Sequence, residues 1–275
     1  MIKYEIVYEC CLNKVEELGI EFDFDNNSHI QSPQNMDDIY KNFVYHSQNR
    51  SQGYAINFFK EEIEGDRNFA VQVWNCIKDY SFNFDDNYSY IDLFRELITI
   101  DKVAAQLSLE KGKDIQFLEL AKTCQCIKKY LSSYSTLSEF IDEHSFSDDA
   151  KQNWQILTRV SSTIYNVSTQ LVPDFFKEQD CICGREFLIK ADVHVKRFIS
   201  VLFGEDKDIS DKKVYTYIVD MYREYSAANK EDIPPYKLDK LIYLIGENFA
   251  NPQRSKEFAR QCRQLAQQPV RNESI

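Results

Sequence analysis

Asp192 stands at the start of the string Lys190-Ala-Asp-Val-His-Val-Lys-Arg-Phe198, with His194, Lys196 and Arg197 within about one turn behind it. The types and spacing suit one kind of chemistry: a fixed carboxylate that stabilises positive charge on a sugar or orients water as a base departs, flanked by groups that hold phosphate. Asp is also among the commonest helix N-caps, so capping alone accounts for its place.

The element that positions this carboxylate reads as a helix of about three turns. Val195, Phe198, Ile199 and Leu202 recur at helical spacing, and Gly204 can take the left-handed position that ends the helix. Further amphipathic patterns occupy 3–18, closed by Gly19, a helix from about Asp37, then 52–63, 67–80, 90–110, 114–132, 136–144 and 148–171, where Pro173 ends the apolar face. Val214, Tyr217, Ile218, Met221, Tyr222 and Tyr225 mark a helix after the Asp192 segment, Leu238 to Ile245 another after Pro234-Pro235, and 255–267 the last.

With 7 Gly and 6 Pro in 275 residues, turn formers are too few for the hairpins of an all-β protein, and the expected class is all-α. The expected organisation is a single compact body, 1–275, with an acidic helical lobe over 37–150, a second helical lobe over 151–267, and residues 1–36 packing on either. No apolar run long enough to span a membrane and no signal-peptide pattern occurs, so a cytoplasmic or nucleoid-associated, monomeric protein is expected. The eight cysteines form no C-x-x-C pair and no His stands at zinc-finger spacing. Free thiols, mostly buried, with no metal and no cofactor, are the expectation.

Net charge is −11, yet residues 1–150 carry 14 Lys+Arg against 27 Asp+Glu whereas 151–275 carry 19 against 17. The second part, at +2, is the half suited to phosphate. His29, His46, His144 and His194 lie apart, and neither G-x-S-x-G nor H-E-x-x-H accompanies them.

Three strings together resemble the helix-hairpin-helix DNA glycosylase superfamily, most nearly its archaeal-type 8-oxoguanine branch. They are Asp192-Val-His-Val-Lys-Arg197, Ser47-Gln-Asn49 and Leu238-Asp-Lys-Leu-Ile-Tyr243. The resemblance implies a two-lobed helical fold with the site between lobes, DNA as partner, and excision of a modified or damaged base such as an oxidised purine. It implies Asp192 as the catalytic carboxylate, and His194, Lys196 and Arg197 on backbone phosphates. Gln48 or Asn49 would fill the space left by the flipped base, and Asp239 with Tyr243 would read and stack it. Trp74 or Trp154 is a candidate for the opposite wall.

The departures are equally specific. Bifunctional members of the superfamily carry a lysine nucleophile after an L-P-G-x-G-like turn, and no such turn is visible here. At archaeal spacing it falls near Arg159-Val-Ser-Ser162, where no lysine stands; Lys177 is a substitute in an unlike context. A monofunctional glycosylase is therefore the expectation. The alternatives are a catalytically inactive DNA-binding module of the same fold and an acidic helical protein-interaction protein.

Overall fold

In a computed structural model, the described residues are 2–24, 32–47, 63–101, 103–104, 113–205, 207, 209–228 and 233–268. Among them the chain is all-α, without a β-strand. The helices are α1 (Tyr4–Glu17), α2 (Met36–Ser47), α3 (Ile63–Lys78), α4 (Tyr90–Leu97), α5 (Lys113–Leu131), α6 (Leu137–Glu143), α7 (Ala150–Thr163), α8 (Val172–Phe176), α9 (Val193–Phe203), α10 (Asp211–Ala228), α11 (Pro235–Asn248) and α12 (Pro252–Ala266). No helix among the described residues is long and apolar enough to cross a membrane.

Two patterns break earlier than periodicity predicts. The helix expected over 90–110 is interrupted after Leu97, where the β-branched run Ile98-Thr99-Ile100 follows and the Thr99 hydroxyl donates to the Glu96 carbonyl at 2.6 Å; helical conformation returns at 101 and 103–104, and 105–110 lie outside the described residues. The helix expected over 148–171 stops at Thr163, because Asn166 takes φ 62°, a left-handed conformation that no helix continues. Ile164, Val167 and Leu171 stay buried through the turn, so the apolar spacing survives while the helix does not.

The chain divides into two compact units whose borders differ from 37–150 and 151–267. The first comprises Met1–His29, Ser145–Ile156 and Cys183–Ile275; the second comprises Ile30–His144 and Leu157–Ile182. The N-terminal segment belongs with the C-terminal helices because α1 buries Tyr4, Val7, Cys11 and Val15 against α10, α11 and α12. The border within 145–163 falls inside α7, a continuous helix that periodicity alone does not divide.

In the first unit α9 lies at the centre, packed on α10, α11 and α12. Val195, Phe198, Ile199 and Leu202 are fully buried there, each worth about 1.5–3 kcal/mol of transfer energy. Tyr4 meets Tyr222 and Tyr225 at ring-centroid distances of 5.8 and 5.3 Å, and the Tyr215 hydroxyl donates to the Phe187 carbonyl at 2.8 Å. Gly184, at φ 74°, lies against the Phe146 backbone, and a Cβ there would collide with the Phe146 carbonyl.

In the second unit Phe43 stacks on Phe175 with centroids 4.5 Å apart, and Asn42 Nδ2 donates to the Phe175 carbonyl at 2.8 Å. Lys128 Nζ donates to the carbonyls of Ile77 and Tyr80, both at 2.8 Å, and so satisfies the end of α3. The cysteines are all free, as expected; of the eight, Cys11, Cys124 and Cys262 are buried, Cys183 is exposed and the others lie between. The expectation that most are buried does not hold, because the remaining cysteines fall at helix edges or in loops.

His144 is enclosed by Tyr130, Tyr134, Phe140 and Phe176. Its Nδ1 lies 2.6 Å from the Phe140 carbonyl, which only accepts, so Nδ1 carries the proton and Nε2 accepts from the Tyr130 hydroxyl at 2.5 Å. Burial pushes its pKa down to about 4. An unfolded His titrates near ~6.5, so between these values the unfolded chain binds more protons. The resulting contribution to stability is full above pH ~6.5 and declines as pH falls towards 4, by a few kcal/mol at most. Urea unfolding at pH 7 and pH 5 should show this loss in the native protein. In His144→Phe the loss should be smaller, although the variant starts roughly 1–3 kcal/mol less stable because the Tyr130 hydroxyl is left without its acceptor.

Candidate functional site

Asp192 occupies the N-cap of α9 in extended conformation. Its Oδ1 accepts from the backbone N–H groups of His194 and Val195 at 2.8 and 2.9 Å. Two of the orphan amides of the helix start are thereby satisfied by one oxygen. Among the described residues no hydrogen bond engages Oδ2. At the far end of α9, Gly204 adopts φ 75° and closes the helix as the sequence predicts.

The approach to Asp192 is pinned by α11. The Lys190 backbone N–H donates to Asp239 Oδ2 at 3.0 Å, and the Asp192 N–H turns back to the Lys190 carbonyl at 2.6 Å. Asp239 is 8% exposed and lies under the segment it holds. Lys190 and Asp239 each have further interactions. Along α11, one turn after Asp239, Tyr243 meets the His194 ring edge-on with centroids 5.9 Å apart. A further turn along, Gly246 gives His194 its space: a Cβ there would lie 2.5 Å from His194 Cβ and 2.7 Å from Nδ1.

The electrostatics of this corner are dominated by carboxylates. The Tyr243 hydroxyl donates to Glu247 Oε1 at 3.0 Å, and Lys240 Nζ stands 5.7 Å from its ring centroid. Burial first, then Glu247 and Asp192, raise the Tyr243 pKa, so the phenol keeps its proton. Lys196 is paired with Asp211 Oδ1 at 2.5 Å, tying α9 to the start of α10. The guanidinium of Arg197, which is half-buried, has no ion pair or hydrogen bond among the described residues.

Asp192, His194, Asp239 and Tyr243 are thus brought together by α9 and α11, across nearly fifty residues of sequence. Gln48 and Asn49 lie outside the described residues; Ser47, which precedes them, is buried at the end of α2. No protein-family model, curated protein or solved structure matches this chain. The site therefore stands on its own geometry.

Lys177 follows α8 in the second unit, its ammonium 2.7 Å from Asp174 Oδ1. Burial alone would lower its pKa, but Asp174 and Glu178 together raise it. An ammonium held so firmly is not an amine nucleophile at neutral pH. Arg159-Val-Ser-Ser162 lies within α7, and the turn after it, residues 164–171, contains no lysine. That turn, with Asn166 left-handed, joins α7 to α8, a connection that the continuous apolar spacing concealed.

Two features were not foreseen. His46 Nε2 lies 3.1 Å from Glu178 Oε2 in the second unit, a pair 132 residues apart that no local spacing signals. A cavity of about 320 Å³ in the first unit is lined by Phe203, Tyr217, Asp220, Met221 and Glu224 among others, and none of the Asp192 group borders it. Trp74 stacks on Tyr40 at 4.4 Å in the second unit's core, and Trp154 faces Tyr215 at 6.0 Å.

The double use of Asp192 yields a clean comparison. Asn caps helices about as well as Asp, so Asp192→Asn should keep thermal stability near that of the native chain, whereas Asp192→Ala should lose about 1 kcal/mol. Thermal unfolding of the two variants side by side measures the cap separately from the charge.

Proposed function

We propose that this protein is a monofunctional DNA glycosylase, removing a modified or damaged base, such as an oxidised purine, from double-stranded DNA. The observation that carries the reading is the divided carboxylate: Asp192 fixes itself through Oδ1 and leaves Oδ2 without a hydrogen bond among the described residues, next to His194 and Tyr243. A carboxylate immobilised by the helix it caps is already oriented when charge develops on the substrate.

In this reading the target base leaves the stack at a cost of a few kcal/mol. The bond between the sugar carbon and the base nitrogen breaks, Asp192 stabilises the cationic sugar or orients water, and water supplies the hydroxyl to the sugar and a proton to the base. Arg197 is the side chain of the α9 string free to meet phosphate, since Lys196 serves Asp211 and His194 packs on Gly246. Asp239 acts first as the residue that positions Lys190 and the turn into Asp192. Tyr243 offers an aromatic surface to the base, Gln48 remains assigned to the vacated space, and no cofactor or metal is required.

A catalytically silent DNA-binding module of the same fold is the second reading. It is favoured by the structural employment of both Asp192 Oδ1 and Asp239 Oδ2 in fixing backbone. Duplexes that each carry one modified base, incubated with the protein and then treated with hot alkali, decide between them. Strand breaks that fall about a hundredfold in Asp192→Asn are expected. Borohydride should trap no covalent protein–DNA adduct, because the candidate amine, Lys177, is held as an ammonium by Asp174. Absence of breaks with every lesion tested overturns the enzyme reading, and a trapped adduct overturns its monofunctional form.

A further inference from the structure

We propose that the seam between α9 and α12 is a phosphate-binding track for a nucleic-acid backbone, built by Arg197, Lys256, Arg260 and Arg263. The proposal deepens the reading above and relies on it for the choice of DNA as the polyanion. Its starting point is charge. In a chain of net −11, α12 carries Arg254, Lys256, Arg260 and Arg263 against Glu257 alone, and α9 carries Lys196 and Arg197 with no acid.

Placement follows from periodicity. Lys256, Arg260 and Arg263 recur at i, i+4 and i+7, so they share one side of α12 over about 10 Å of its length. Ser255, Phe258, Ala259, Cys262 and Ala266 occupy the buried side. Gln264 and Gln267, exposed and one turn beyond Arg260 and Arg263, extend the same side with amide donors.

The buried side of α12 meets α9, and Arg263 stands at the edge of that contact. Phe198 and Phe258 approach to 5.9 Å between centroids, and a Cβ at Gly204 would collide with the Arg263 guanidinium. Residues 198–204 therefore run alongside 258–263 in the same direction. Arg197 is seven residues before Gly204, two turns earlier on the same edge of α9, which brings it level with the Lys256 end of the strip. The track thus starts about one turn behind Asp192 and leads away from it.

The neighbouring cations are already committed, and these are not. Lys196 is paired with Asp211, and Glu205 is taken by Lys213 and by the Tyr217 hydroxyl. Arg197, Lys256, Arg260 and Arg263 have no carboxylate partner among the described residues. Duplex DNA offers one negative charge per ~1.7 Å of axis, so a 10 Å strip of cations faces a matching line of phosphates, and guanidinium forks bind phosphate bidentately.

The test is the salt dependence of binding to a fluorescent duplex between about 50 and 200 mM salt. Lys256→Gln with Arg260→Gln should lower the slope of log affinity against log salt by roughly two and weaken binding about tenfold or more. Arg263 is kept, because it also covers the end of α9. Lys129→Gln with Lys151→Gln removes the same charge at exposed sites elsewhere and should leave the slope unchanged. Equal effects in both doubles, an unchanged slope in the strip double, or no binding by the native chain at low salt each overturn the track. Excision separates this from the glycosylase reading: at saturating protein the strip double should release base like the native chain, whereas Asp192→Asn should bind DNA normally and release base about a hundredfold more slowly.

Discussion

Burial of α9 is the constraint on which the site depends. Val195, Phe198, Ile199 and Leu202 are closed off from solvent by α10, α11 and α12, a gross gain of about 6–12 kcal/mol before chain entropy. The Asp192 cap adds about 1 kcal/mol. The difference in scale sets the direction of cause: the core places the helix, the helix start presents two amides, and those amides hold the carboxylate. A surface helix with the same cap would fray and let the carboxylate wander.

Charge acts locally in this chain. The overall excess of acid says little about α9 and α12, where cations outnumber carboxylates and several lack partners among the described residues. The Lys196–Asp211 pair, each side chain about a quarter exposed, contributes at most about 1 kcal/mol to stability. Its larger effect is on availability, since it withdraws one cation of the α9 string and leaves Arg197 beside the α12 strip. Around Lys177 the same logic runs the other way, with carboxylates retaining a proton that nucleophilic chemistry would need to lose.

Sequence periodicity was most informative where a helix shows one apolar face to one core. Both ends of α9 and the buried positions of α1 follow from spacing and cap residues, whereas α11 starts at Pro235 itself, inside the pair expected to precede it, because Pro is accommodated in the first turn. Periodicity failed where backbone conformation changed without a change of pattern. Asn166 turns left-handed inside a run of apolar residues still spaced as in a helix, and neither Gly nor Pro marks the place. Pairings such as His46 with Glu178 were illegible for a different reason, because their separation of 132 residues makes them a product of the tertiary fold. The Asp192, Asp239 and Tyr243 grouping was suggested by resemblance of short strings and not by spacing itself; the α9–α11 packing supplies its physical basis.

That packing also changes what Asp239 does. A carboxylate meant to read a substrate edge would be expected to face open space, yet Asp239 is buried and its Oδ2 receives the Lys190 amide two residues before Asp192. Removing its charge would therefore be felt at the turn into α9 before it was felt by any ligand. Gly246 works in the same direction from further along α11, since any side chain there would push His194 and with it the first turn of α9. One helix thus helps set the position of the carboxylate that another helix carries, by packing against it, by accepting the Lys190 amide and by leaving room at Gly246. The geometry around Asp192 is then set by α11 as much as by α9: Tyr243 lies between Asp239, which holds the Lys190 amide, and Gly246, which makes room for His194, on the same helix.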